Sequence, residues 1–401
     1  MTAADERSIL VLNVGSSTLK FGLFPVVESD DALLHGVLEP GSASGELRII
    51  DSTGRHNDTQ QLVVNRDSAA AELLHYLERN SLFGSVQAVG HRCVHGGTTL
   101  REPVRIDARI RALLEAVIPL APDHLPAELR AIDEVSRLAP ALVQVACFDT
   151  AFHGALPNVA RLFGLPRVLS ESGVVRYGFH GLSYEYVTDA LRRRGELPAR
   201  TIVAHLGNGA SIAALLDGVC IDTSMGMTPS GGFAMSTRSG DLDPGVMLYL
   251  LRSRGFSASD LNDVTSRRGG LLGISESSSD MRDLLAASST DSRAEDAVGV
   301  FCYQARKFIG AYCAALGGID ALIFTGGIGE RSPEVRARIC EKLGFMGIRV
   351  DPALNRENAS TISAAGSTAQ VRTVKTNEEA MIARHVRKAV ALQPQAAAER
   401  L

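Results

Sequence analysis

Two segments of the chain repeat one pattern of apolar and small residues. Residues 9–24 read ILVLNVGSSTLKFGLF and residues 201–216 read TIVAHLGNGASIAALL, which aligns Gly15 with Gly207 at an offset of 192 residues. In both segments an apolar run leads through a turn of small residues into a second apolar run that is too short for a helix. The pattern predicts a β-hairpin in each segment.

A weaker similarity follows each hairpin along the chain. Residues 86–97 read VQAVGHRCVHGG and residues 319–330 read IDALIFTGGIGE, and each predicts a strand followed by a glycine turn. Chance recurrence of glycine-turn hairpins is the alternative, but two successive matches favour a duplicated unit. We expect two lobes, with a boundary near Thr150.

Helical periodicity occupies the intervals between the predicted strands. Apolar residues recur at helical spacing in four segments, which are Ser68–Arg79, Asp107–Val117, Glu295–Leu316 and Glu378–Val390. Residues 393–401 have the Ala-rich composition of a frayed terminus. Because strand and helix patterns alternate, the sequence predicts the α/β fold class.

Composition narrows the class of protein. The 401 residues carry a formal net charge of −4, which argues against a dedicated nucleic-acid binder. The six cysteines are widely spaced without a CxxC pair, so we expect buried, reduced thiols in a cytoplasmic protein. The first residues show no secretory signal, and the most apolar stretch, Gly310–Gly329, is interrupted by Asp320 and by glycines, unlike a membrane span.

Three glycine-containing turns follow predicted strands, at Asn13–Thr18, His205–Ser211 and Thr325–Glu330. Small residues let backbone N–H groups point at a phosphate chain without obstruction by a Cβ atom. No GxxxxGK[ST] sequence occurs, so none of the three is a P-loop. A plain hairpin turn is the alternative for any one of them, but three together favour a nucleotide bound between the lobes.

Two arginines lie in turn-like sequence rich in small polar residues. Arg92 belongs to GHRCVHGG and Arg238 to MSTRSGDLDP. A guanidinium group binds carboxylate or phosphoryl oxygens in a bidentate manner. A surface ion pair is the alternative for either arginine, and the flanking glycines and serines make the two interpretations about equal.

Several histidines also lie at turns, among them His124, His180 and His205. An imidazole can donate a hydrogen bond to the charge that develops on a transferring phosphoryl group. His153, in FDTAFHG, is interpreted as structural. Metal binding by these histidines is not favoured, because the sequence contains no HxxxH or Cys/His cluster.

Two acidic positions are candidates for magnesium. Asp149 ends a predicted strand, and Glu378 begins the last predicted helix. Mg²⁺ prefers few carboxylates together with phosphates and water. The alternative for Glu378 and Glu379 is a favourable position in the first turn of a helix.

Taken together, the chain from Val11 to about Arg384 resembles the acetate kinases, a family of the superfamily of acetate and sugar kinases, heat-shock ATPases and actin. The resemblance rests on ordered motifs: NVGSSTLKF, GHRCVHGG, FDTAFH, RYGFHG, HLGNGASIA, DTSMGMTP, TRSGDLDP, GLLGISESSSDMRDL, FTGGIGERSPEVR and TNEEAMIA. It implies two duplicated actin-like (ribonuclease H-like) lobes with the active site in a cleft between them. The lobes would be residues 1–150, completed by a C-terminal helix at about 385–401, and residues 151–384, which bind the nucleotide.

The resemblance implies reversible transfer of a phosphoryl group from Mg·ATP to acetate, giving acetyl phosphate and ADP. It implies Mg²⁺, with Mn²⁺ as a substitute, and a homodimer formed through the C-terminal lobe. It implies that catalysis involves Arg92, Asp149, His180 and Arg238, of which His180 and Arg238 stabilise the transition state. It implies that the acceptor is bound by Arg92, Val94, His124, Phe179 and Pro229, and that magnesium is organised by Asn13 and Glu378, with Asp149. The residues that it implies for binding of the nucleotide are Asn13, Lys20, His205, Leu206, Gly207, Asn208, Gly209, Asp280, Arg282, Gly326, Gly327, Ile328 and Gly329.

The chain departs from the family pattern in two places. The family motif LAPLHNP is LAPDHLP here, with Asp123 in place of a pocket leucine, and TPLEG is TPSGG, with Ser230 and Gly231. An ionised carboxylate beside a substrate carboxylate would oppose binding, unless it turns away or pairs with an arginine. Acetate is therefore expected first, and propionate or another short acid second.

Two other classes of protein compete with this interpretation. A sugar kinase would need an aspartate base and a larger polar pocket, whereas Arg92 and Arg238 suit an anionic acceptor. A non-catalytic, actin-like ATP-binding protein would have no reason to keep these arginines together with His180.

Overall fold

The computed structural model describes residues 7–15, 18–40, 45–51, 57–62 and 69–391. The strands in these ranges are β1 (Ser8–Val14), β2 (Leu19–Pro25), β3 (Leu34–Pro40), β4 (Gly45–Asp51), β5 (Asn57–Leu62), β6 (Val86–Cys93), β7 (Val104–Arg105), β8 (Val143–Phe148), β9 (Arg200–Leu206), β10 (Ala210–Leu216), β11 (Val219–Thr223), β12 (Ala321–Thr325) and β13 (Gln370–Thr373).

The helices in the same ranges are α1 (Ala69–Arg79), α2 (Ala108–Ala116), α3 (Leu125–Leu138), α4 (Asn158–Arg161), α5 (Arg167–Glu171), α6 (Gly181–Arg193), α7 (Pro244–Ser253), α8 (Ala258–Asn262), α9 (Gly270–Ser275), α10 (Met281–Ala287), α11 (Ser292–Leu316), α12 (Gly326–Arg331), α13 (Pro333–Cys340), α14 (Pro352–Arg356) and α15 (Glu378–Ala391). Short 3₁₀ turns occur at Phe83–Ser85, Ile118–Leu120, Ala151–His153 and Gly344–Met346, and a π-helical turn at Asp263–Arg267.

The first sheet has the strand order β5-β4-β3-β2-β1-β6-β8-β7. Strands β1 to β5 are antiparallel neighbours, whereas β6 is parallel to β1 and β8 is parallel to β6. The second sheet has the order β11-β10-β9-β12-β13, in which β9 to β11 are antiparallel and β12 and β13 run parallel to β9. Both predicted hairpins are therefore present, and each sheet contains the same five-strand plan, which confirms the predicted duplication.

Strand β1 shows why its sequence is a continuous apolar run. Leu10 and Leu12 belong to one cluster with helices α1 and α3, while Ile9 and Val11 belong to another with α15. A strand with helices on both faces cannot alternate apolar and polar residues. Because both faces of β1 are buried, the position of its carboxyl end is fixed, and so is the position of the Asn13 side chain near that end.

The third predicted glycine turn, Thr325–Glu330, is not a turn. After β12 the chain enters helix α12 directly at Gly326, whose φ of +76° makes the sharp change of direction. The Glu330 side chain accepts a hydrogen bond from the Gly326 N–H (3.1 Å), which satisfies a donor that a helix N-terminus otherwise leaves unpaired. The four predicted helices are all present with ends within four residues of expectation.

Contacts divide the chain into two units. The first comprises the described residues up to Phe152, the segment Gly181–Tyr186 and those from Asn377 onward, and the second comprises His153–His180 and Val187–Thr376. The predicted lobes differ from these units at residues 151–152, 181–186 and 377–384, which belong to the first unit. The physical reason is that α15 is one helix, whose apolar face packs together with Leu182 against β1 and cannot be divided at residue 384.

None of the described helices is long and apolar enough to cross a membrane. All six cysteines are buried, as the sequence predicted, and none of them forms a disulfide bond.

Candidate active site

Arg92 and Asp149 form a bidentate ion pair in the first unit. Arg92 is the penultimate residue of β6 and Asp149 directly follows β8, and these strands are parallel neighbours, so both side chains lie at the carboxyl edge of the sheet. Arg92 donates from Nε to Asp149 Oδ1 (3.2 Å) and from Nη2 to Oδ2 (2.5 Å). Burial alone would lower the pKa of Arg92, but Asp149, Glu378 and Glu128 raise it above its ordinary value, so the guanidinium stays charged.

Asn13 contacts two carboxylates at the start of α15. Its side-chain amide donates to Glu378 Oε2 (3.4 Å) and to Glu379 Oε1 (3.0 Å). Lys20 on β2 is paired directly with Asn13 on β1, so their side chains share one face of the sheet. The predicted phosphate turn begins here, with a hydrogen bond from Gly15 N–H to Thr18 O (2.7 Å), and its Ser16 and Ser17 lie outside the described residues.

Val94 directly follows β6, and its N–H donates to Glu128 Oε2 (3.0 Å). Glu128 lies in the first turn of α3 and is 1% exposed. Burial raises the pKa of Glu128 to about 8, although Arg92 and the bond from Val94 act in the opposite direction. Glu128 is therefore mostly an uncharged acid at neutral pH.

The turn before α3 carries two of the residues discussed above. His124 occupies the position before the first residue of α3, and Asp123 precedes it; both side chains are half-buried. Asp123 therefore lies in the turn that leads into α3, shortly before Glu128 in the sequence.

In the second unit, His180 is held in an uncommon backbone conformation. Its φ is +58°, in the left-handed region that residues other than glycine seldom adopt. Its Nδ1 lies 2.8 Å from Ser211 Oγ, and its ring stacks on that of His205 with centroids 4.3 Å apart. Ser211 and His205 are themselves paired across β9 and β10, so the predicted hairpin positions the imidazole.

His153 supports the peptide that precedes His180. Its Nε2 lies 2.9 Å from Phe179 O and its Nδ1 lies 3.2 Å from Cys220 Sγ. Burial lowers the pKa of His153 to about 4, so the ring is neutral. Since the carbonyl requires a donor, Nε2 carries the proton, and the buried Phe179 is fixed beside His180.

Arg238 and Pro229 lie together with the second glycine turn. Arg238 Nη1 donates to Pro229 O (3.1 Å), and a Cβ atom added to Gly209 would lie 3.0 Å from His180 Nε2 and 3.4 Å from Arg238 Nη1. The turn therefore brings an imidazole and a guanidinium close to its backbone, and glycine is the residue that leaves room for both.

The remaining nucleotide candidates form two groups. A Cβ atom on Gly326 would lie 2.7 Å from Leu206 O, so the start of α12, which holds Gly327, Ile328 and Gly329, adjoins the turn containing Gly207 and Asn208. That turn is closed by bonds from Gly207 N–H to Gly209 O (3.1 Å) and from Ser236 N–H to Asn208 O (3.2 Å). Asp280 and Arg282, by contrast, hydrogen-bond to each other at the start of α10, where Asp280 also accepts from the Arg282 N–H (2.8 Å).

Three residues that the sequence did not assign to the site contact residues that it did: Glu128, Glu379 and Ser211. Glu128 interrupts the apolar stripe Leu125, Leu129 and Ile132 of α3, and a charged residue at such a position is a detectable signal. Ser211 could have been found from the register of its hairpin. Within the described ranges no group of three or more His, Cys, Asp or Glu side chains is arranged to hold a metal ion.

Comparison with known proteins gives one family. Residues 8–384 match the family model described as the Acetokinase family. The chain is 43% identical to an acetate kinase of Rhodopseudomonas palustris (strain TIE-1) over 389 residues, covering 94% of this chain and 97% of that protein. It is 39% identical to an acetate kinase of Clostridium novyi (strain NT), covering 95% of this chain and 98% of that protein.

Solved structures agree with this result. A propionate kinase from Francisella tularensis subsp. tularensis SCHU S4 superposes with a TM-score of 0.88 at 36% identity, covering 94% of this chain and 98% of the other. The acetate kinase of Porphyromonas gingivalis superposes with a TM-score of 0.85 at 37% identity, covering 96% and 99%. With two sheets of one strand plan and these matches along nearly its whole length, the chain belongs to the acetokinase family.

Proposed function

We propose that this protein is a phosphotransferase with a carboxyl group as acceptor, which transfers a phosphoryl group reversibly from ATP to acetate and gives acetyl phosphate and ADP. Membership of the acetokinase family and the names of its relatives support acetate. Propionate is the second candidate, because Asp123 departs from the family pattern and one similar structure is that of a propionate kinase.

The proposal rests on one observation, which is that buried partner residues hold the positively charged side chains of the site in place. A carboxylate is already nucleophilic at neutral pH, so the reaction requires no strong base. It requires relief of the repulsion between an anionic acceptor and the polyphosphate. Arg92, locked by Asp149, would bind the acceptor, while His180 and Arg238 beside Gly209 would stabilise the transferring group.

The side chains assigned to the acceptor and to the nucleotide fit this division. Asp149 engages Nε and Nη2 of Arg92, and the guanidinium carries further N–H donors on Nη1 for the acceptor carboxylate. We assign Val94, His124, Phe179 and Pro229 to the acceptor. We assign the remaining candidates to ATP: Asn13, Lys20, His205, Leu206, Gly207, Asn208, Gly209, Asp280, Arg282, Gly326, Gly327, Ile328 and Gly329.

The residues around Asn13 fit a magnesium ion. Two carboxylates, of Glu378 and Glu379, converge on the side-chain amide of Asn13, and hard oxygen ligands of this kind suit Mg²⁺ or Mn²⁺. Mg²⁺ ordinarily takes few protein ligands and keeps water and phosphate oxygens. Asn13 and Glu378 would hold the ion, which when bound neutralises phosphate charge.

We further propose that the protein is a cytoplasmic homodimer. Six buried cysteines without a disulfide bond are typical of a reducing compartment. Helix α7, with the sequence PGVMLYLLRS, has no buried residue, and Val246, Leu248, Tyr249 and Leu251 on it are all exposed. An apolar helix exposed in this way is typical of a surface that a second protein chain covers.

The proposed reaction is tested by trapping acyl phosphate with hydroxylamine, with acetate, propionate and butyrate as acceptors. We expect an acyl hydroxamate from acetate at the lowest acceptor concentration. In the R92K variant, which keeps the charge but loses the planar fork, we expect KM for acetate to rise about tenfold or more while KM for ATP changes less than about threefold.

Another half-buried arginine of the same unit provides the matched control. Arg105 donates to Ala389 O (2.7 Å) and takes no part in the proposed site, so R105K should leave both KM values unchanged. ATP hydrolysis without trapped product from any acid would contradict the proposal and favour a non-catalytic ATP-binding protein. A large rise in KM for ATP alone in R92K would contradict the role given to Arg92.

A further inference from the structure

Glu128 is a buried carboxyl group that the proposed reaction does not use. Its Oε2 accepts from Val94 N–H, and its Oε1 receives no hydrogen bond from the residues that the structure describes. A buried ionised carboxylate with one hydrogen bond is strongly disfavoured. The geometry therefore suits an uncharged acid whose one engaged oxygen holds a backbone N–H.

The peptide that Glu128 holds is fixed at both of its polar ends. The N–H of Val94 donates to Glu128, and the C=O of the same peptide, that of Cys93, accepts from Asp149 N–H (3.0 Å). This peptide joins Cys93, the last residue of β6, to Val94, and Arg92 directly precedes it. Its orientation sets the direction in which the chain on either side presents its side chains.

The charged and titratable groups that act on Glu128 come from two neighbouring strands. Arg92 and Cys93 end β6, and Asp149 follows β8. Arg92 favours the ionised form of Glu128, whereas Asp149 and the buried surroundings oppose it. Because the Arg92 charge is already balanced by Asp149, a second carboxylate nearby would lessen its attraction for an anion.

We propose that Glu128 is a positioning residue for the acceptor side of the site, where its uncharged carboxyl group fixes the Cys93–Val94 peptide and so orients Arg92 and Val94 toward the carboxylate substrate. Ionisation of Glu128 places a negative charge close to Arg92 and weakens binding of the acceptor, with little effect on ATP. This inference rests on the roles proposed above for Arg92 and Val94.

The test compares two variants over a pH range. Glu128→Gln keeps the shape and the acceptor for Val94 N–H but cannot ionise, while Glu128→Leu removes the acceptor. For E128L we expect KM for acetate to rise about tenfold at pH 7 with KM for ATP unchanged, as for loss of one buried hydrogen bond. We expect E128Q to behave like the unmodified protein at pH 7.

In the unmodified protein KM for acetate should rise severalfold between about pH 7 and pH 9, because Glu128 ionises over this range, and in E128Q this rise should be absent.

Glu134→Gln is the matched control, because Glu134 lies on the same helix and pairs with Arg137 on the surface. It should leave the kinetics and their pH dependence unchanged. Identical pH profiles for E128Q and the unmodified protein would overturn the inference, as would an E128L variant with unchanged KM for acetate or with equal rises in both KM values and a lower melting temperature. An R92K variant with raised KM for acetate, found alongside such a result, would leave the proposed function intact.

Discussion

Individual residues of the proposed acceptor site affect binding through the charge that they place near Arg92. The Arg92 guanidinium is held by Asp149. Burial lowers the pKa of Arg92, but the nearby carboxyl groups of Asp149, Glu378 and Glu128 raise it above its ordinary value, so the group is charged at any pH the protein tolerates. A negative group on the acceptor side would work against it. Asp123, which is half-buried in the turn before α3, is the candidate for such a negative group.

We predict that Asp123→Leu lowers KM for acetate. An ionised carboxylate about 4 Å from the substrate carboxylate would oppose binding by about 4 kcal/mol at an effective dielectric constant of 20, and partial screening should leave a change of about tenfold or more. Steady-state kinetics with acetate and propionate measure it. Asp123→Asn is the control of matched shape and should give most of the same gain. If both variants keep the original KM, Asp123 does not face the acceptor.

At the scale of elements, glycines decide how strands pass into the turns and helices of the second unit. Gly326 combines a φ of +76° with a position at which a Cβ atom would lie 2.7 Å from Leu206 O. Both features require glycine, because an L side chain is strained in this conformation and the neighbouring backbone cannot move away. The sequence pattern indicated only that a backbone turn was needed there, and the structure uses it to begin α12.

We predict that Gly326→Ala lowers the free energy of unfolding by about 1–3 kcal/mol and raises KM for ATP more than KM for acetate, since it displaces α12 from the turn after β9. Gly299→Ala is the control. Gly299 lies within helix α11 with nothing near the position of an added Cβ, so alanine there should stabilise the protein by up to about 1 kcal/mol. Denaturant unfolding and steady-state kinetics measure both variants. Equal stability of G326A and the unmodified protein would contradict the strain argument.

For the whole molecule, the proposed second copy would explain the exposed apolar surface of α7. This helix presents apolar side chains around much of its circumference, although a helix with so little polar surface is expected to be buried. A protein chain that covered the helix would remove this surface from water and gain the corresponding hydrophobic free energy.

We predict that Leu248→Glu converts the protein from a dimer to a monomer, because it buries an unpaired charge in the proposed interface. Sedimentation equilibrium should give twice the 42.6 kDa of one chain for the unmodified protein and one chain for the variant. The control is Phe345→Glu, at an exposed apolar residue outside α7, which should remain dimeric. A monomer before any substitution, or a dimer after Leu248→Glu, would contradict the proposed interface.

Much of the fold could be predicted because its signals are local. The hairpins from Ser8 and from Arg200 and the helices at residues 69–79 and 292–316 follow from apolar period and turn chemistry, which act over a few residues. The boundary of the units could not be predicted in full. Residues 181–186 and 377–384 belong to the first unit through the packing of Leu182 and α15 against β1, and such packing joins segments far apart in the chain.

The duplicated strand plan, the family motifs and the types of residue available for the site follow from the order of amino acids alone. Which of these residues meet depends on the folded chain: Arg92 pairs with Asp149, His180 contacts Ser211 and stacks on His205, and Glu128 accepts a hydrogen bond from the Cys93–Val94 peptide. The reason is physical. Periodicity records which side of an element is buried, whereas a hydrogen bond between distant residues depends on strand register and helix packing, and these are fixed only when the whole core forms.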